Sequence, residues 1–255
     1  MNNMLMYRSW LETRWRFLIG LALLTISAAS NVLFYPQIVE LMPMVDEMEF
    51  EGAMSRRIAE SVALSSTFKG YVWSQAISQN LIQFSILFAA LLGVAGPLFQ
   101  GQGRGVLFML SLPASRDRLF VTRIGTGLIE LLVLMLVPVL IISLVSPGIG
   151  EQFPIGSAII HGLCLFVAAS VFYSATILLS TLFEDVWRPL LIVCGVAAVM
   201  ALLSRSMAPL SIFPIMNGES YFLSGNLPWL GLLVCILIAA GLLYSATRVF
   251  SRRDF

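Results

Sequence analysis

Glu130 is the first residue of this chain that could do chemistry, because it is the one carboxylate inside a long apolar run. Burying such a charge at the centre of a bilayer costs about 2.5–3.5 kcal/mol on insertion scales, so an intramembrane acid needs a partner or a task. It follows Arg123 by seven positions, roughly 10 Å along a helix. That spacing suits structural pairing with Arg123 or Arg188, and equally a part in coupling or proton movement. His161, the single histidine, has no Cys, Asp or Glu at ligand spacing. It therefore reads as a structural residue, with neither a metal cluster nor a histidine dyad indicated. Gln75, Gln79 and Gln83 recur at i, i+4 and i+8, which on a helix makes one polar stripe. The stripe would serve interhelical hydrogen bonds or line a substrate exit at a subunit interface. Met42, Met44, Met48 and Met54 cluster in one stretch; thioethers suit Cu(I), but the commoner use is a flexible amphipathic surface, and no metal site is expected. A phosphate-binding loop needs a lysine after its glycines, and here the single lysine, Lys69, precedes Gly70. ATP hydrolysis by that mechanism is excluded for this chain.

The elements that must position these residues are membrane helices. Hydrophobic residues make up 58% of 255 positions and charged residues 11%, with a mean hydropathy of +0.91, far from the mix of a soluble domain. Six spans of about 20 residues would use roughly 120 positions and leave loops too short for a catalytic domain. Cys164, Cys194 and Cys235 each sit in an apolar run and read as small buried hydrophobes. The net charge of +1 offers nothing to nucleic acid, and no nucleic-acid partner is expected.

The expected fold is all-α and polytopic, a single transmembrane domain over 1–255 with six transmembrane helices. Residues 1–16 form an N-terminal interfacial helix, basic and amphipathic. Spans follow at 17–35, 81–99, 124–145, 155–183, 189–203 and 228–247, with a net acidic outer loop at 36–80. Residues 100–123 carry Arg104, Arg116, Arg118 and Arg123 around a short apolar core that Pro113 ends. They read as a short amphipathic helix and a basic docking elbow across the mouth of the bundle. Residues 204–227 interleave Pro209 and Pro214 with Phe213, Met216, Tyr221 and Phe222, too apolar for an exposed loop, and predict an outer re-entrant hairpin. With both termini inside, 11 of the 15 basic residues fall in inner segments, as the positive-inside rule requires.

The run GRGVLFMLSLPASRDRLFVTR resembles the segment after the second span of type 2 ABC transporter membrane subunits, the drug and polysaccharide export permease family. The resemblance is carried by Gly105, Leu107, Leu110, Leu112, Pro113, Ser115, Arg116 and Leu119. It departs from the pattern where Gln100 or Gln102 stands for an acidic residue and Arg123 for a lysine. The resemblance implies that 100–123 is a cytoplasmic coupling helix meeting a separate ATPase through Arg104, Leu112, Pro113, Arg116 and Arg118, with Glu184 and Arg188 a second contact. It also implies two ATPase copies carrying the ATP and Mg²⁺, a second copy of this chain or a related permease, and no cofactor on this chain. The setting would be a bacterial inner membrane, with both termini cytoplasmic. Glu130 and the glutamine stripe become pathway candidates, and Phe213, Met216, Tyr221 and Phe222 become gate residues. Two other classes compete: a membrane-embedded enzyme using Glu130 or His161, and an ATP-independent channel or scaffold. The substrate is not indicated.

Overall fold

The computed structural model describes residues 2–46, 64–94, 116–183, 185–204 and 211–251, which are helical throughout and contain no strand. Five helices among them are long and apolar enough to cross a membrane, and the lipid bilayer is the environment their composition demands.

Helix α1 runs unbroken from Asn2 to Asp46. The interfacial helix expected over 1–16 is therefore not a separate element, and the first span does not end at Tyr35. No glycine or proline occurs before Gly20 to break the ladder. Pro36 removes one N–H bond while keeping a helix-compatible φ, so the chain passes through it. The buried face of α1 is a stripe of Ser9, Thr13, Gly20, Leu24, Ala28, Val32 and Tyr35, the spacing of one helical side.

Helix α2, Phe68–Gly93, starts well before the 81 expected for the second span. Thr67 supplies the reason, since its Oγ1 accepts the Gly70 N–H at 3.2 Å and caps the first turn. Phe68 and Tyr71 then pack on Tyr35 of α1, each with ring centroids 5.0 Å away. The outer loop expected at 36–80 is helical at both flanks, and its middle lies outside the described residues. Between α-helical ends, Val72–Leu81 is a π-helix, a winding often found at functional sites.

Helix α3, Arg116–Val145, carries Pro138 within it and leads through a 3₁₀ turn, Ser146–Ile149. Helix α4, Ile155–Leu182, begins after Pro154 and is the central post, packed against α2, α3 and the helices that follow it. Its Tyr173, Leu165, Ala168 and Ser174 are fully buried. Helix α5, Trp187–Leu203, has 17 residues, about 25 Å against a hydrocarbon core of about 30 Å. It stands as a shorter apolar helix beside the five long ones. Two short helices, α6 (Phe213–Met216) and α7 (Glu219–Ser224), occupy part of the expected outer hairpin, and α8 (Trp229–Ser251) closes the bundle against α4. Leu230, Leu233 and Leu237 of α8 and Leu18, Ile26 and Leu33 of α1 stand exposed, apolar surface that lipid covers.

Candidate functional site

Two polar clusters lie at opposite ends of the bundle. The first sits at the end where α1 begins, α2 stops and α3 starts. Here α2 finishes with carbonyls that have no partner in their own helix and carry the negative end of its dipole. Guanidinium groups from two neighbouring helices cap them. Arg16 of α1 donates through Nη1 to the Leu91 carbonyl at 3.1 Å and faces that of Val94 at 3.4 Å. Arg123 of α3 donates through Nη2 to the Leu92 carbonyl at 3.0 Å.

Glu130 and Thr13 complete the cluster. Thr13 Oγ1 donates to Glu130 Oε1 at 2.6 Å, and both residues are buried. Glu130 lies in the field of Arg123, yet Arg123 directs its hydrogen bond to Leu92 instead of the carboxylate. The pairing expected with Arg123 or Arg188 is thus replaced by a hydroxyl donor from α1. Arg188 is at the surface, 3.6 Å from Asp185. Glu12, half-buried on α1, faces Arg123, Arg8 and Arg16. Two acids and two arginines, Glu12 and Glu130 with Arg16 and Arg123, thereby balance in a seam of three helices. Ser9 Oγ, Arg123 Nε and Nη1, and Glu130 Oε2 are buried without a hydrogen-bond partner among the described residues. Such half-satisfied charges mark a seam able to change partners, since an unmet buried group costs about 1–3 kcal/mol. Behind it, Tyr173 of α4 donates to the Ile124 carbonyl at 3.1 Å, and Gly127 leaves the space its ring occupies.

The second cluster gathers on Asn217, between α6 and α7. Its carbonyl accepts from Trp73 Nε1 at 3.2 Å and from His161 Nδ1 at 3.0 Å; because a carbonyl can only accept, the Nδ1 of His161 carries a proton. Asn217 Nδ2 reaches Ser78 Oγ at 3.4 Å, and Asn217 Oδ1 accepts the Glu219 N–H at 3.0 Å, starting α7. Trp73 stacks on Phe222 at 4.5 Å with planes 5° apart. Tyr221 meets His161 edge-on at 5.5 Å and lies 3.3 Å from Ser157 Oγ. Gly218 follows at φ +67°, where a Cβ would stand 2.8 Å from His161 Nδ1. The short helices are in this way clamped to α2 and α4.

Of the other residues singled out in the sequence, Arg104, Leu112, Pro113 and Glu184 lie outside the described residues, as do Met48 and Met54. Arg116 is the first residue of α3. Arg118 is exposed two positions on and borders an open groove. Gln75 is half-buried while Gln79 and Gln83 are exposed. The interhelical polar contact falls instead to Asn80, whose Nδ2 donates to Asn31 Oδ1 of α1 at 3.3 Å, and to Ser78. Within the π-helical stretch the bonds run i→i+5, so four-residue spacing does not hold a straight stripe there. Met216 is fully buried and Phe213 half-buried. Glu130 and His161 belong to separate clusters that share no residue in these contacts. Among the described residues no three of His, Cys, Asp and Glu converge as metal ligands.

Thr13, Arg16, Trp73 and Asn217 were not read from the sequence as site residues. For the first two a signal existed, since Ser9, Thr13 and Arg16 share the helical side that continues as the buried stripe of α1.

The fold and its two clusters define an all-helical chain built for a membrane. No protein-family model matches it, and comparisons with curated proteins and with solved structures give no significant match.

Proposed function

We propose that this chain is the membrane-spanning permease subunit of an ATP-powered transporter of the type 2 ABC class, an exporter, with ATP and Mg²⁺ held by a separate ATPase. The observation that carries the reading is the basic segment 100–123, with its resemblance to the ATPase-docking segment of that family, running directly into α3. Two ATPase copies would bear on two copies of this chain, or on this chain and a related permease. In this reading α5 is a short sixth span and both termini are cytoplasmic in a bacterial inner membrane.

The geometry at the arginine-rich end supports the coupling this requires. A push on Arg104 to Arg118 reaches α3 at its first turn. From there Arg123 transmits it to the last turn of α2 and Glu130 transmits it to α1, through hydrogen bonds of 3.0 and 2.6 Å. At the opposite end, the clamp of Trp73, His161 and Asn217 would hold the gate residues Phe213, Met216, Tyr221 and Phe222 until α2 and α4 move. Exposed Gln79 and Gln83 suit a pathway lined between two subunits.

The test is to purify the chain gently with its partners and replace Arg116 and Arg118 together by glutamate. Loss of a co-purifying ATPase, or of its coupled hydrolysis, is the expected result. Unchanged assembly and unchanged ATP-driven transport would refute the docking role, and repeated absence of any ATPase from the intact chain would favour a channel or an enzyme.

A further inference from the structure

We propose that the furrow between α1 and α3 at the arginine-rich end binds one anionic phospholipid, its phosphate at Arg118 and one acyl chain along α3. This inference needs only a chain embedded in a bilayer and does not rest on an ATPase partner.

The furrow is an open groove of about 450 Å³ between Met6 of α1 and one side of α3. Arg118, Thr122, Gly125 and Ile129 follow one another at helical spacing along its floor. Gly125 makes the notch, because a Cβ built there meets nothing within 4 Å. Val121 and Ile129 flank it at 58% and 53% exposure. The two threonines in the wall, Thr122 and Thr126, donate to the Arg118 and Thr122 carbonyls at 2.7 and 2.9 Å. Their hydroxyl protons are thus taken by the helix, and the groove between Arg118 and Ile129 offers an apolar chain no competing donor.

Length and charge select the occupant. Arg118 to Ile129 spans eleven residues, about 16 Å, close to half of a hydrocarbon core of about 30 Å. The furrow therefore has the depth of one leaflet. Its mouth carries a guanidinium with five donors, whose fork matches phosphate oxygens even when one donor is already engaged. Beside it α1 exposes Tyr7, Trp10 and Trp15, with the Arg14 guanidinium 5.4 Å from the Trp15 ring. Exposed aromatics and arginines together mark the headgroup level, which sets Arg118 at phosphate depth and Ile129 near the bilayer midplane. A phosphate with no compensating ammonium is the better partner for this cationic mouth.

The experiment reconstitutes the full chain in vesicles of zwitterionic phospholipid. A trace of phosphatidylglycerol, or in parallel of phosphatidylcholine, carries a photoactivatable diazirine on one acyl chain, and adducts are mapped by peptide. Adducts should concentrate on Met6, Val121 and Ile129, with about fivefold preference for the anionic lipid. Arg118→Gln should bring the two lipids to equal labelling. Gly125→Leu should fill the notch and remove the adducts on Val121 and Ile129; since its Cβ meets open space, folding is preserved, and an unchanged melting temperature checks this. Inorganic phosphate should not compete. Equal labelling by both lipids in the unaltered chain would overturn the proposal, as would insensitivity to Gly125→Leu. A peptide–peptide crosslink in place of lipid adducts would assign the furrow to a second copy, and displacement by phosphate would reduce it to an anion site.

Discussion

The hydroxyl of Thr13 on α1 donates a 2.6 Å hydrogen bond to Oε1 of Glu130 on α3, across 117 positions of sequence. It joins two helices at the one acidic residue that composition alone places deep in the membrane, while the other oxygen, Oε2, has no hydrogen-bond partner among the described residues. The pair is a hinge pin between α1 and α3, and it is the link most exposed to test.

Thr13→Val keeps the shape of the side chain and removes the donor. It should lower stability by about 1–3 kcal/mol, the cost of leaving a buried charged acceptor unmet. Glu130→Gln should cost less, because a neutral amide needs less compensation. Thermal unfolding in detergent of both single variants and the double variant measures the coupling, expected at about 0.5–3 kcal/mol for residues in direct contact. Strict additivity would show that the two do not act together.

Arg123→Lys keeps the charge but loses the planar fork that reaches the Leu92 carbonyl at 3.0 Å. The last turn of α2 should fray, seen as faster amide hydrogen exchange at Leu92, Gly93 and Val94, with the middle of α2 unchanged. Arg16→Lys should do the same more weakly, since its carbonyl contacts, at 3.1 and 3.4 Å, are only part-buried. Equal protection in all three proteins would mean that the arginines do not cap this helix.

Two glycines one half-turn apart on α3 should respond with opposite signs. A Cβ on Gly127 collides with the Tyr173 hydroxyl, whereas one on Gly125 meets open space. Gly127→Ala must displace Tyr173 and break its 3.1 Å bond to Ile124, a loss of about 1–3 kcal/mol as for other overpacked sites. Gly125→Ala should be neutral or gain about 0.5–1 kcal/mol from helix propensity. Melting temperatures of the two variants decide it.

Gly218→Ala places a side chain in the left-handed region, at φ +67°, which costs about 1–2 kcal/mol, and drives a methyl against His161. The α6–α7 pair should loosen from α4, with amide exchange rising across 213–224 and not in α8. His161→Ala should loosen the same segment by removing the donor to Asn217. Exchange unchanged in both variants would refute the clamp.

Much of this fold was legible in the residue order. The fourth span was expected at 155–183 and α4 occupies Ile155–Leu182, because a proline ahead of a long apolar run and a charged stretch after it are local signals. The last span, expected at 228–247, and α8 at Trp229–Ser251 follow the same logic. The errors fall where a boundary depends on something distant. Pro36 and the arginines before Phe17 read as breaks, yet α1 continues through both, held along its length by α3 and by Tyr35 against Phe68 and Tyr71. The start of α2 was missed because Thr67 and the aromatic pair that follow it look like loop anchors until α1 is beside them.

The sequence by itself determined that this is an apolar, helical, membrane-suited chain without a phosphate-loop lysine, for composition and periodicity are properties of each segment alone. It also marked Glu130 as a carboxylate needing a partner. Only the tertiary structure decided that the partner is Thr13 and not an arginine, that Arg16 and Arg123 cap α2, and that His161 and Trp73 share the Asn217 carbonyl. A buried polar group takes whichever donor or acceptor the neighbouring helix brings within reach, and helix packing sets that neighbour over distances that no local pattern records.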